Sequence, residues 1–151
     1  MVRQRQWRHP AAALFLFAAL VLAQAPSDPQ SPGATMKQIM LDLIHPASNE
    51  ILLFINRGGP KDEKDWAAIR HSAITLEEAG AVLLRRAPAH DLAEWARDAR
   101  LLADAGATAY KAAQNKDAPA LAAVAAPLDQ SCTACHKQYR PNVFPRPGGS
   151  Q

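Results

Sequence analysis

The sequence predicts an all-α protein, a four-helix up-down-up-down bundle. Apolar residues make up 48% of the 151-residue chain, which is enough for a core, but only 6% of the residues are aromatic. Alanine is abundant, and β-branched residues never gather into strand-like runs. Apolar residues instead recur at three- and four-residue steps in four stretches of roughly 20–25 residues with short breaks between them. The length suits one ordinary domain.

The first 23 residues have the pattern of a secretory signal peptide. Three arginines and no acidic residue precede an apolar run over 11–23, and small residues follow. The run is shorter than the roughly 20 residues that a membrane-spanning helix needs. We therefore expect cleavage after Ala23, because a cut after Ala25 would place Pro26 next to the cleaved bond. Export to the periplasm and a mature chain without a membrane span follow from this interpretation.

Composition divides the mature chain into three parts. Residues 24–34 contain three prolines and a glycine and are predicted to be a flexible linker. Residues 35–140 form the helical domain, and residues 141–151, with three prolines and two glycines, form a flexible tail. Cleavage removes three of the 17 basic residues and none of the 14 acidic ones, which leaves a formal charge of zero. Without a basic stripe, nucleic acid is not an expected partner.

The first helix is predicted over 35–56, with Thr35 as its N-cap. Pro46 lies inside this helix, where it removes a backbone hydrogen bond, so we expect a kink there. The predicted inward face consists of Met36, Ile39, Met40, Leu43, Ala47 and Ile51.

The second and third helices are predicted over 62–86 and 90–115. Each carries a glycine on its inward face, Gly80 and Gly106, at a cost of about 1 kcal/mol relative to alanine. A close helix crossing or a flat ligand would explain these glycines, and so would chance. The second stripe is Trp66, Ile69, Ala73, Leu76, Gly80 and Leu83. The third stripe is Leu92, Trp95, Ala99, Leu102, Gly106, Tyr110 and Ala113.

The fourth helix is predicted over 118–139. Pro119 suits its first turn, whereas Pro127 is expected to bend or restart it. One face carries Leu121, Val124, Leu128, Cys132, Cys135 and Tyr139.

The two cysteines of the chain lie late in this helix, in the motif Cys132-Thr-Ala-Cys135-His136. Cys-x-x-Cys-His is the attachment signal of c-type haem. Residues three apart on a helix project from one side, so two thiols can add to the two vinyl groups of one porphyrin. The histidine one turn from Cys132 can reach the iron. We therefore expect one covalent haem c, with His136 as an axial iron ligand.

Three other interpretations of the cysteine pair stay open. A thioredoxin-like redox pair belongs in a βαβ setting, which this helical sequence does not offer. A zinc site needs four ligands, and the sequence has no second cysteine pair. A short-loop disulfide is compatible with export.

The stretch 132–140, CTACHKQYR, resembles the C-terminal end of the cytochrome c′ family. In that family haem is attached in the last helix of a four-helix bundle, and Tyr-Arg follows the histidine at the offset of Tyr139 and Arg140. The segment 37–42, KQIMLD, is similar more loosely to the family's first helix. The resemblance implies that Arg140 pairs with a haem propionate, although a cation at a helix C-terminus is an equal alternative. It also implies a homodimer through the first two helices.

The resemblance is closest in type to the low-spin members, in which a methionine of the first helix is the sixth iron ligand. Cleavage leaves only Met36 and Met40, and the surroundings of Met40 look like the ligating segment, so Met40 is the expected ligand. Met36, or an open face as in high-spin members, is the alternative, because methionine on a core stripe is usually packing. Surface positions are expected for His45, His71 and His90, and packing roles for Trp66, Trp95 and Tyr139.

These features predict a periplasmic cytochrome that transfers electrons to a redox partner protein of unknown identity. A Met/His pair raises the potential of the iron and leaves no position for substrate. The alternatives are a high-spin haem module that binds NO or CO, and a structural helical protein with a disulfide. No hydrolytic triad, phosphate loop or carboxylate pair stands out, so an enzyme is disfavoured.

Overall fold

The computed structural model describes residues 33–140, and these residues form helices without a β-strand. The predicted all-α fold is thereby confirmed. The predicted signal peptide, the linker up to residue 32 and the tail 141–151 lie outside the described residues. Within the described part of the chain, no helix is both long and apolar enough to cross a bilayer.

Four helical rods make up the domain. The first, α1, consists of Met36–Gln38, a π-helical turn Ile39–Ile44 and His45–Asn56. The second and third, α2 and α3, are Glu63–Arg85 and Leu92–Gln114. The fourth, α4, has a short segment Ala118–Ala122 and a long segment Ala125–Tyr139.

Side-chain caps fix where α1 and α2 begin. The Thr35 hydroxyl accepts a hydrogen bond from the Gln38 N–H at 3.2 Å, and Gln38 Oε1 accepts one from the Thr35 N–H at 2.8 Å. This reciprocal pair is a capping box, and it confirms the predicted N-cap. Asp62 caps α2 by accepting a hydrogen bond from the Asp65 N–H at 2.9 Å. The helices thus begin and end within two residues of the predicted bounds.

A π-helical turn stands where Pro46 predicted a kink. The His45 N–H bonds to the Met40 carbonyl, five residues back, directly before the proline. Pro46 has no N–H to donate to the carbonyl of residue 42, and in a regular α-helix its ring would clash with that carbonyl. A wider turn relieves both problems.

The wider turn corrects the predicted inward face of α1. One extra residue in a turn rotates the chain by about 100° relative to an uninterrupted α-helix. Leu43, predicted to face the core, is therefore 43% exposed, whereas Ile44 is 6% exposed. Ile39, Ala47 and Ile51 are buried as predicted, and Met36 and Met40 are partly buried against the core.

A close crossing of α2 and α3 explains both helix-interior glycines. A Cβ atom on Gly106 would lie 2.5 Å from the Glu77 backbone nitrogen and 2.9 Å from the Ala73 carbonyl oxygen. A Cβ atom on Gly80 would lie 2.7 Å from the Ala103 Cβ. Of the interpretations left open by the sequence, helix packing is the one that the structure supports.

Gly106→Ala is expected to destabilise the protein although alanine favours a helix. The added methyl group would overlap backbone atoms of α2, and overpacking of this kind costs about 1–3 kcal/mol, against a gain of about 1 kcal/mol in helix propensity. The urea midpoint measures the balance. As a control, Ala67→Gly at an exposed position of α2 shows the cost of propensity alone. A midpoint above that of the parent protein for Gly106→Ala would contradict the crossing.

The predicted stripes of α2 and α3 are largely confirmed. Every position of the α2 stripe is buried, including Trp66. The predicted inward position of Leu92 on α3 is wrong, because this residue is 58% exposed. Trp95 already lies opposite the end of α2, where its Nε1 donates to the Leu83 carbonyl at 2.7 Å. Leu92 lies almost one turn before Trp95, as the first residue of α3.

The fourth helix is interrupted just before Pro127. The break falls between Ala122 and Ala125, and Pro127 becomes the third residue of the long segment. In the first turn of a helix the backbone N–H has no intrahelical partner, so proline is tolerated there. Of the two predicted outcomes, the restart is the one observed. Leu121, Val124 and Leu128 are buried as predicted.

Candidate cofactor site

The long segment of α4 places both cysteines at the core edge. Leu128 is fully buried, and the buried Ser131 donates from Oγ to the Leu128 carbonyl at 2.8 Å. Cys132 and Cys135 follow as free thiols of intermediate exposure. Three residues apart on a helix, they project from the same side, and both line one cavity.

Three cavities border His136. The inner cavity, lined by Trp95, Asp98 and both cysteines, has a volume of about 30 Å³. The second, lined by His45, Cys132 and Arg140 and here called the His45 cavity, has a volume of about 250 Å³. The third, lined by Arg86, His90, Cys135 and Arg140 and here called the Arg86 cavity, has a volume of about 430 Å³. The Arg86 cavity alone falls within the range of small-molecule sites.

Met40 lines all three of these cavities together with His136. Its position lies within the π-helical turn of α1, directly after the buried Ile39. Met36, the alternative to Met40 in the sequence analysis, lines only the Arg86 cavity among the three. The structure therefore brings Met40, more than Met36, to the space around the imidazole.

Burial shifts the pKa values of the motif side chains. It raises the pKa of the Cys135 thiol to about 11, with a further contribution from the negative charges of Asp98 and Cys132. Burial also raises the pKa of the Cys132 thiol. It lowers the pKa of His136, and the positive charge of Arg140 acts in the same direction. At neutral pH the chain thus presents two protonated thiols and a neutral imidazole, the form in which histidine binds metals.

The raised thiol pKa predicts slow alkylation of the haem-free chain. Iodoacetamide attacks the thiolate, so at pH 8.5 Cys135 should react more slowly in the folded chain than in urea. The free energy of unfolding should also fall as pH rises from 9.0, the ordinary thiol value, to about 11, because there the unfolded state loses its proton first. Equal alkylation rates with and without urea, or a urea midpoint that rises over this pH interval, would contradict this prediction.

Aromatic residues close one end of the site. The rings of Trp95 and Tyr139 meet edge to face, with centroids 4.9 Å apart and an interplanar angle of 78°. The Tyr139 hydroxyl donates to the Asp91 carbonyl at 3.3 Å. Both residues thus have the packing role predicted for them, since Trp95 is buried and Tyr139 is partly buried against the core.

Polar groups border the His45 and Arg86 cavities. Arg140 is exposed at the end of α4, where its N–H donates to the His136 carbonyl at 2.9 Å. His45, His71 and His90 are exposed, as predicted. His45 contacts Asn49 at 3.2 Å and lines the His45 cavity, and His90 lines the Arg86 cavity.

Asp98 is the site residue that sequence reasoning missed. It lies on α3, is 2% exposed and lines the inner cavity with Cys135 and His136. Its Oδ2 atom has no hydrogen-bond partner in the described part of the chain. A sequence signal existed, because Asp98 falls three residues after Trp95 and beside Ala99 on the predicted inward stripe.

The motif residues and Asp98 come together around the inner cavity. Two free thiols lie on one side of α4 beside His136, and among the described residues Asp98 Oδ2 has no hydrogen-bond partner. Among residues 33–140, no three His, Cys, Asp or Glu side chains are grouped to hold a metal ion. No family model, curated protein or solved structure matches the chain.

Proposed function

We propose that this protein is an electron-transfer cytochrome with one haem c bound to Cys132 and Cys135 and with His136 as an axial ligand. The observation that carries the proposal is the convergence of two free thiols, His136 and Met40 on one set of adjoining cavities. Both cysteines, His136 and Met40 line the inner cavity, and His136 and Met40 also line the His45 and Arg86 cavities.

The proposal includes the up-down-up-down topology of a cytochrome c′-like bundle. Contacts between successive helices support it, because higher residue numbers in one helix meet lower numbers in the next. Ser72 of α2 bonds to Glu50 of α1, whereas Arg86, just after α2, bonds to Ala34 ahead of α1. Likewise Leu83 meets Trp95, and Trp95 meets Tyr139.

Attachment requires both thiols in the reduced form that the structure has. Cys132 and Cys135 would each supply an S–H to one vinyl group of the haem, with sulfur bonding to one carbon and hydrogen to the other, so that no oxidant would be consumed. His136 binds as a neutral imidazole, which its lowered pKa favours. The bound haem supplies a one-electron redox centre.

Met40 supports electron transfer over gas binding. Met40 would supply a thioether sulfur and His136 an imidazole nitrogen to the iron, and such a Met/His pair would raise the reduction potential. Ile39 and Ile44, both buried, fix the π-helical turn that carries Met40. Fixed ligands change little between oxidation states, which suits electron transfer.

The remaining parts of the proposal concern the surroundings of the protein. Arg140 borders two of the cavities, and its guanidinium is in reach of an anionic group at their edge, such as a propionate. After removal of residues 1–23 the protein acts in the periplasm with a redox partner protein, and it forms a homodimer through α1 and α2.

An absorption spectrum of the purified, exported protein tests this proposal. Expression alongside a working haem maturation system should give a coloured protein with a low-spin c-type spectrum. The ferric form should show a weak sulfur-to-iron band at the red end of the visible. A five-coordinate, high-spin ferric spectrum would instead favour the gas-binding module. A colourless protein would contradict haem binding altogether.

A further inference from the structure

A buried carboxylate on α3 has only one of its two oxygen atoms satisfied. The side chain of Asp98 is 1% exposed. Its Oδ1 atom accepts hydrogen bonds from Nε and Nη2 of Arg97, at 3.2 and 3.1 Å. Oδ2 has no partner in the part of the chain that the structure describes. The Arg97 side chain is 62% exposed, so the cation lies on the solvent side and the unpaired oxygen on the core side.

The inner cavity borders this carboxylate. Asp98 lines this cavity together with Cys135 and His136. Both side chains line the same cavity, and the negative charge of Asp98 contributes to the raised pKa of the Cys135 thiol. Asp98 is therefore a buried carboxylate that shares a cavity with Cys135 and His136, two of the residues that would hold the haem.

The stability of the fold does not explain why an aspartate is buried at position 98. A buried, unpaired oxygen on a charged group costs free energy, because the group loses water without gaining a full set of hydrogen bonds. An alanine of α3 stands beside it on the same inward face, Ala99, and packs there without such a cost. The hydrogen bonds from Arg97 satisfy Oδ1 and leave Oδ2 without a partner among the described residues.

We infer that Asp98 tunes the haem, with its buried negative charge favouring the oxidised iron and lowering the reduction potential. This inference rests on the proposed function. Ferric iron carries one more positive charge than ferrous iron, so a nearby fixed anion stabilises the ferric state more. The interaction is strong where few waters screen it. Arg97 opposes this effect only partly, because it reaches Asp98 from the solvent.

The reduction potential of the haem-loaded protein tests the inference. Asp98→Asn keeps the shape of the side chain and removes its charge, so the potential should rise while the low-spin spectrum stays. Arg97→Gln removes the opposing cation and should lower the potential. Asp104→Asn removes one negative charge from an exposed position of the same helix and should leave the potential unchanged. Urea unfolding of each variant separates a purely structural role from tuning.

The results distinguish this inference from the proposed function. Tuning is supported if the reduction potential rises in Asp98→Asn, falls in Arg97→Gln and stays unchanged in Asp104→Asn. If haem is attached and both potentials equal that of the parent protein, tuning is wrong while the cytochrome proposal stands, even if Asp98→Asn changes the urea midpoint. If Asp98→Asn does not fold, the Arg97→Gln potential decides alone. If the parent protein carries no haem, both proposals are wrong.

Discussion

Replacement of both Cys132 and Cys135 by alanine should abolish covalent haem attachment. Without a thiol there is no sulfur to add to either vinyl group, so the exported protein should be colourless after denaturing purification. Single replacements should leave at most one thioether and a much lower yield of haem protein. The measurement is haem absorbance per mole of protein, after acid and organic solvent remove noncovalent haem.

A control for this pair lies between the cysteines. Thr133→Ala changes a motif position that contributes no thiol and should keep full attachment. Haem that stays covalently bound in the double cysteine variant would contradict attachment at the motif. Loss of haem from Thr133→Ala would mean that the cysteine variants report on folding rather than on attachment.

Met40→Ala should convert the iron from low spin to high spin. Alanine cannot reach the iron, so the sixth position opens, the sulfur-to-iron band disappears and the reduction potential falls. The open position should also bind carbon monoxide faster than in the parent protein. Ferric absorption and the rate of CO binding to the ferrous form measure these changes.

Met36→Ala is the matched control for Met40→Ala, because Met36 lies one turn earlier on the same helix. Of the three cavities beside His136, Met36 lines only the Arg86 cavity, and its removal should leave the spectrum low-spin. An unchanged spectrum in Met40→Ala would contradict ligation by Met40. A change confined to Met36→Ala would assign the ligand to Met36.

Local signals in the sequence were sufficient for most of the fold. Thr35 predicts a helix start because its side-chain oxygen satisfies a free N–H group, and this chemistry depends only on near neighbours. Helical periodicity identified the buried face of α2 completely, including Trp66. The glycines at 80 and 106 were noticed, but their cause required the partner helix to be in place.

The predicted inward faces were wrong at two places, one where an extra residue changed the helix register and one at the end of a helix. Pro46 indicated a disturbance in α1, but sequence alone does not distinguish a kink from a π-helical turn. That choice moved the inward position from Leu43 to Ile44. Leu92 fitted the stripe of α3, yet periodicity does not tell where the neighbouring helix ends.

The candidate site was predicted in part. The cysteines and His136 form a contiguous motif, so their chemistry could be predicted before the fold was known. Asp98 was not predicted, because a carboxylate on an inward stripe looks like an interruption of the stripe until its burial and its unpaired oxygen are seen. Sites built from several helices carry this kind of residue, which no single helix reveals.

The intact mass of the purified, exported protein tests the central claim most directly. Denatured protein should carry the mass of the mature chain plus one haem. After proteolysis, the added mass should map to the peptide that contains both Cys132 and Cys135. A bare chain, with its two thiols free or joined to each other after expression with an active maturation system, would contradict it.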